Sequence, residues 1–290
     1  MDTLALPALP SSGLSLRRPL LLLMLAMAGA AAALQSLVIP IDCDVSWLIT
    51  VSEKLLAGAR LYVDVIEPNP PASVWLYLPS VWLAGRSGLH PEAIVAAIFI
   101  AGALLSLGAT LRLAGGLRQP PAALLLAAAI GFVGLILPLG LFAQREHAAL
   151  LLAFPALAAL ALVADGRRLP LGNALATGAA AGFVMVLKPH FALAILPAAG
   201  YAAWRTGSPR PLLPAMLAAL GVVGAYAAAI LYFAPEYLRL VPLLAEIYLP
   251  MREDMMTLLR GPVVIVPVAL AALTAMLRAP RIAPLPAVLA

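Results

Sequence analysis

Long apolar runs separated by short polar segments make up almost the whole chain. The runs are centred on 20–41, 70–84, 93–111, 121–141, 147–164, 172–187, 190–204, 212–234 and 262–278. A helix of about 20 apolar residues crosses the hydrocarbon core of a bilayer, so this pattern predicts membrane-spanning helices. The run 70–84 is short and contains Pro79 and two tryptophans, which is typical of an interfacial or re-entrant helix. We therefore expect eight spans and one partial element.

Two longer polar segments interrupt this pattern, and both are amphipathic. Residues 42–69 carry two basic and five acidic side chains, the acidic ones being Asp42, Asp44, Glu53, Asp64 and Glu67. Residues 235–260 place charges between apolar residues at helical spacing, which predicts a helix lying at the membrane interface.

Composition places the chain among helical membrane proteins. Its 290 residues are 64% hydrophobic and 11% charged, with a mean hydropathy of +1.04, which excludes a soluble globular domain. We predict an all-α, polytopic transmembrane helical bundle formed by a single domain, 1–290. The single cysteine, Cys43, excludes an intrachain disulfide framework. The chain stops soon after Arg281, so we expect it to be the N-terminal part of a longer protein.

The arginine residues predict the orientation of the bundle. If Arg17 and Arg18 are cytoplasmic and 70–84 does not cross, the arginine pairs of the later loops also face the cytoplasm. The opposite side then receives 11 of the 13 acidic residues. We expect a multi-pass protein of the bacterial inner membrane with a cytoplasmic N-terminus. Its first span lies at 20–41, its periplasmic loop at 42–69 and its further spans within 93–278.

This orientation brings four polar stretches to the periplasmic side. They are 42–69, Gln144–His147, Lys188–His190 and 235–260. The cytoplasmic side has only short arginine turns, so we expect a cavity on the periplasmic side.

The first loop ends in a pattern that resembles a known signature. Residues 55–64 read LLAGARLYVD, and residues 67–71 read EPNPP. This resembles the G-x-x-x-Y-x-D … K-x-P-P pattern of GT-C type membrane glycosyltransferases, which include protein mannosyltransferases and lipid A aminoarabinose transferases. The resemblance implies transfer of a sugar from a polyprenyl-phosphate carrier at the outer face of the membrane. Asn69 stands where many members have lysine.

Asp42 and Asp44 follow the first span directly. From the residues alone, Asp44 is more readily the N-cap of a helix, because Val45-Ser46-Trp47 is a credible helix start. The resemblance implies that Asp44, or secondarily Asp42, is the catalytic base that takes a proton from the acceptor hydroxyl.

The other candidates divide into cations and loop residues. Arg145, His147, Lys188 and His190 are predicted to bind the carrier phosphate, although charges at the ends of spans also serve as anchors. Contacts to acceptor or sugar are predicted for Trp47, Tyr62, Asp64 and Glu67. The aromatic residues also suit the interfacial belt, and the two carboxylates also suit turns or a metal. We predict no cofactor and no metal site, and the sequence does not exclude a divalent metal.

Two functions follow from these expectations. The first is a membrane glycosyltransferase, inverting in stereochemistry, with polyprenyl-phosphate sugar as donor, membrane lipids as partners and no role for nucleic acid. The enzyme interpretation leaves open an inactive chain if these residues are only the N-terminal part. The alternative is a non-catalytic lipid-linked-sugar transporter or accessory subunit, but the sequence shows neither the inverted repeats nor the broken helices that favour a transporter.

Overall fold

The computed structural model describes residues 17–115, 120–248, 250 and 254–261. Within these ranges the protein is helical, with no strand. The helices are α1 (Arg17–Ala33), α2 (Cys43–Leu56), α3 (Pro71–Trp75), α4 (Leu78–Ser87), α5 (Pro91–Leu113), α6 (Pro120–Gly131), α7 (Arg145–Ala164), α8 (Leu171–Leu187), α9 (Ala192–Thr206), α10 (Leu213–Phe233), α11 (Tyr237–Tyr248) and α12 (Met255–Arg260). Short 3₁₀ segments at Leu139–Leu141, Pro189–Phe191 and Arg210–Leu212 precede α7, α9 and α10.

Among the residues that the structure describes, four helical segments are long and apolar enough to cross a membrane. They are Arg18–Val38, Pro91–Leu113, Arg145–Ala164 and Arg210–Phe233, and shorter apolar helices lie at Ala123–Ile136 and Leu171–Leu187. The all-α prediction is confirmed for the described residues. The predicted count of eight spans stays a prediction, because α9 is also short and the run 262–278 lies outside the described residues.

Proline and glycine set several helix ends. Pro71, Pro91 and Pro120 begin α3, α5 and α6, where the missing backbone N–H has no helical partner to lose. Gly88 and Gly207 end α4 and α9 in the left-handed conformation, which glycine adopts without a steric penalty. The run 70–84 does not form one continuous helix, since it divides between α3 and α4.

Helix α7 lies at the centre of the bundle. It packs against α5, α8 and α9, and 67% of its membrane-length window is buried, compared with 6% for the first span. Helix α10 packs on α8 through small residues. At Gly182 an added Cβ would lie 2.8 Å from the Ala219 carbonyl oxygen, so the backbones are too close there for a larger residue to fit without a shift.

The C-terminal ends of α1 and α6 continue as π-helical segments, Leu34–Val38 and Phe132–Ile136. A π-turn leaves its backbone groups differently placed from those of an α-helix, and such turns are frequent near functional sites. The second segment lies against α7, and its Gly134 contributes a backbone carbonyl to the polar contacts described next.

Candidate functional site

The amphipathic part of the first loop begins as helix α2. Asp42 is its N-cap, and the Asp42 side chain accepts a hydrogen bond from the backbone N–H of Asp44 at 2.9 Å. The local sequence pattern suggested Asp44 as the capping residue, but the cap in the structure is Asp42. Asp44 lies within the first turn, and its side chain is 64% exposed. A carboxylate in this position is free to contact groups outside its own helix.

Arg145 reaches Asp44 from the first turn of α7. Its Nη2 lies 3.9 Å from Asp44 Oδ2, while its Nη1 donates a hydrogen bond to the side-chain oxygen of Asn69. Arg145 is only 5% exposed, so the arginine is buried on the protein side of the exposed carboxylate. A buried guanidinium needs acceptors and counter-charges; Asn69 accepts a hydrogen bond from it, and the Asp44 carboxylate lies within ion-pair distance.

Glu67 continues this set of contacts into the protein. It is 1% exposed, and its carboxylate accepts three hydrogen bonds. The donors are Trp47 Nε1 at 2.5 Å, the Asn69 backbone N–H at 2.9 Å and Asn69 Nδ2 at 2.5 Å. We call Asp44, Arg145, Asn69, Glu67 and Trp47 the Arg145 network.

A second ion pair lies beside the network. Lys188, which follows α8, contacts Glu146 Oε1, and its Nζ also lies 5.9 Å from the centre of the Phe191 ring. Glu146 follows Arg145 directly, so two cations from separate segments approach the same end of α7. His190 is exposed, and its ring packs edge-on against Phe191 at 4.8 Å.

His147 has a different environment from the other predicted phosphate ligands. It is 3% exposed, its Nδ1 accepts the Ala143 backbone N–H at 3.0 Å, and its Nε2 lies 2.7 Å from the Gly134 carbonyl oxygen. A backbone N–H only donates, so Nδ1 carries no proton and Nε2 donates to Gly134. Both ring nitrogens are used by backbone groups, and the ring joins α7 to the π-helical segment before it.

Tyr62 and Asp64 shape the loop after α2. The Tyr62 hydroxyl donates to the Asn69 carbonyl oxygen at 2.6 Å, and its ring lies 5.1 Å from that of Tyr237. Burial raises the pKa of the Tyr62 hydroxyl well above its usual range, so it remains a donor. Asp64 accepts from the backbone N–H of Arg60 at 2.8 Å, and this bond lowers the pKa of its carboxyl. Asp64 therefore acts as a turn residue in this structure.

Two residues that shape the site were missed in the sequence, the network member Asn69 and the neighbouring Tyr77. Asn69 was noted only as a departure from the lysine of the GT-C pattern, and nothing local indicated a contact with a residue 76 positions later. Tyr77 is fully buried, and its hydroxyl donates to the Ala143 carbonyl oxygen at 2.8 Å, which fixes the turn before α7. Ala143 has a φ of 64°, unusual for a non-glycine residue, and this hydrogen bond helps to hold it.

Possible metal ligands come together at only one place within the described residues. The ligand atoms of Asp42, Cys43 and Asp44 lie within 4.8 Å of one another. Cys43 and Asp44 are exposed, and Asp42 already caps α2. Exposed acidic groups often lie together without an ion, so we assign no metal to this group.

Two adjoining cavities open beside α10. One, of about 340 Å³, is an apolar groove between α3, α8 and α10. The other, of about 650 Å³, lies between the end of α2 and the end of α10, and Arg60 and Glu236 lie at its edge. Trp75 and Ala229 line both cavities.

Comparisons of the chain with protein-family models, with curated proteins and with solved structures found no match. The fold and the site define a class in physical terms. Over the described part of the chain it is helical, with four helical segments of membrane-spanning length and two ion pairs at the start of the most buried of these four. The resemblance to GT-C glycosyltransferases stays a prediction.

Proposed function

We propose that this protein is a membrane glycosyltransferase. It transfers a sugar from a polyprenyl-phosphate carrier to an envelope lipid, glycan or protein acceptor at the periplasmic face of the bacterial inner membrane. Its N-terminus is cytoplasmic. The observation that carries the proposal is the contact between the exposed Asp44 carboxylate and the buried Arg145 guanidinium.

The reaction assigns opposite roles to these two charges. Asp44 takes the proton from an acceptor hydroxyl, whose oxygen attacks C1 of the sugar from the side opposite the phosphate. The bond between C1 and the phosphate oxygen breaks, and its electron pair leaves with the polyprenyl phosphate. Arg145 and Lys188 stabilise the negative charge that grows on the leaving phosphate.

The apolar groove beside α10 supports a lipid carrier. Its walls are Ala72, Trp75, Leu76 and apolar residues of α8 and α10, and it shares Trp75 and Ala229 with the larger cavity. An isoprenoid chain in this groove would keep its apolar surface away from water while its phosphate stays near the polar end of the bundle.

Donor binding tests the roles of the two cations. Arg145→Ala and Lys188→Ala each remove a charge-assisted hydrogen bond to phosphate, at a cost of roughly 1.5–3 kcal/mol, or about a tenfold to hundredfold loss of affinity. The assay is equilibrium binding of radiolabelled polyprenyl-phosphate mannose and polyprenyl-phosphate aminoarabinose to the purified protein in lipid nanodiscs. The matched control is Arg210→Ala, an exposed arginine of the short helix before α10. Unchanged affinity in both site variants would remove them from the phosphate site.

A non-catalytic protein that binds lipid-linked sugars is the second candidate. It is favoured by the approach of two cations, Arg145 and Lys188, to the same end of α7, since two positive charges bind a phosphate whether or not a base acts beside them. Donor binding without release of free polyprenyl phosphate, in the presence of crude envelope acceptors, supports this candidate over the enzyme.

A further inference from the structure

Three donors from the described part of the chain hydrogen-bond to the Glu67 carboxylate. Trp47 Nε1, the Asn69 backbone N–H and Asn69 Nδ2 all point to its two carboxylate oxygens. An ionised carboxylate is an acceptor without a proton of its own, so it satisfies all three donors at once. An amide in the same place would bring two N–H groups towards these donors and leave part of the set unpaired.

Asn69 presents its two amide ends to opposite charges. Its Nδ2 donates to Glu67, and its Oδ1 accepts from Arg145. If the amide turned over, Nδ2 would face the guanidinium, where donor would meet donor. The carboxylate of Glu67 therefore fixes which end of the Asn69 amide faces Arg145.

The backbone of Asn69 is held as well. Its N–H is bound to Glu67, and its carbonyl oxygen accepts from the buried Tyr62 hydroxyl. Asn69 is thus fixed at both backbone groups and at both ends of its side chain. Arg145 is buried and meets this fixed oxygen on one side and the exposed Asp44 on the other.

We infer that Glu67 is a positioning residue, which acts through the side chain of Asn69 to hold the Arg145 guanidinium beside Asp44. The importance of Arg145 in this inference rests on the proposed function. The geometry rests only on the contacts described above. A guanidinium that is already oriented loses less conformational freedom when an anion binds. Glu67 therefore raises the affinity of the site for phosphate without itself touching the phosphate.

An exchange of acid and amide tests this inference. Glu67→Gln leaves one amide oxygen for donors that lie on both carboxylate oxygens, Trp47 on Oε2 and the two Asn69 groups on Oε1. Because the hold on Asn69 is weakened, we expect the affinity for polyprenyl phosphate to fall about tenfold. In the double variant Glu67→Gln/Asn69→Asp, position 67 supplies the donor and position 69 the acceptor. The pair is thus reversed, an acceptor still faces Arg145 and the original net charge returns. We expect the double variant to recover most of the lost affinity. The matched control, Glu53→Gln, makes the same substitution on the exposed face of α2 and should bind as wild type does.

Binding is measured with sugar-free polyprenyl phosphate in nanodiscs, and the thermal midpoint is recorded for each variant. A double variant that binds no better than Glu67→Gln, while Arg145→Ala binds weakly, would overturn the positioning role and leave the proposed function standing.

If wild-type protein does not bind polyprenyl phosphate, the proposed function fails and the thermal midpoints decide the inference. We then expect the double variant to recover the midpoint lost in Glu67→Gln, and to lose that recovery when Arg145→Gln is added. Recovery that persists without the guanidinium would show that Glu67 does not act on Arg145.

Discussion

Substitution of Asp44 is expected to affect turnover far more than stability, and removal of the neighbouring Asp42 side chain is expected to affect stability more than turnover. Asp44→Asn keeps the size of the side chain and removes its ability to accept the acceptor's proton, so we expect turnover to fall by ~10²–10⁴. Its cost in stability is expected to be small. The Asp44 side chain is 64% exposed and 3.9 Å from Arg145, and an ion pair so open to solvent contributes about 0–1 kcal/mol.

For Asp42 we expect a cost in stability and a smaller effect on turnover. Its side chain caps α2, and replacing such a cap by alanine costs about 0.5–2 kcal/mol. Asp42→Ala should therefore lower the thermal midpoint, whereas Asp42→Asn retains a good capping group and should not. We expect Asp42→Asn to slow turnover less than Asp44→Asn does.

The assay follows transfer of labelled sugar from radiolabelled polyprenyl-phosphate donors to crude envelope acceptors by purified protein in nanodiscs. Thermal unfolding is recorded on the same preparations. If Asp44→Asn turns over like wild type and Asp42→Asn is inactive, the catalytic base is Asp42 and the cap argument has misled us. If both variants remain active, the base lies elsewhere and the resemblance of this loop to GT-C enzymes carries no mechanism.

Three further predictions concern packing and topology. Gly182→Ala should destabilise the protein by about 1–3 kcal/mol through overpacking against α10, whereas Gly172→Ala, where an added Cβ meets nothing within 4 Å, should not lower the thermal midpoint. Tyr77→Phe removes a buried hydrogen bond before α7 and should cost about 1–3 kcal/mol in the same unfolding measurement. In intact cells a membrane-impermeant maleimide should label the native, exposed Cys43. The same reagent should not label a Cys43→Ser/Arg167→Cys variant, because Arg167 is predicted to be cytoplasmic, and labelling of that variant would reverse the predicted topology.

The apolar pattern was sufficient to predict much of the fold. Continuous apolar runs gave the helical class, and prolines at run boundaries coincide with the starts of α5 and α6. The run 172–187 gave α8 without indicating how it packs, because every face of such a helix is apolar. The close approach of α8 to α10 at Gly182 depends on their relative rotation, which periodicity does not determine.

The site was predicted less completely than the fold. Asp44 and Arg145 were both singled out from the sequence, and the structure brings them together. Asn69, which joins Arg145 to Glu67, could not be found, since a contact across 76 positions depends on how the first loop folds over α7. His147 was grouped with Arg145 because they are near neighbours in sequence, yet its ring turns inward to the backbone of Gly134.

The Arg145 network also has an order of assembly along the chain. Trp47, Glu67 and Asn69 lie within a short stretch, so their hydrogen bonds need only the first loop. Arg145 belongs to a helix that the ribosome makes much later, and chains generally fold from the N-terminus during synthesis. The loop can therefore present the oxygen of Asn69 before α7 exists, and α7 completes the site as it takes its place in the bundle.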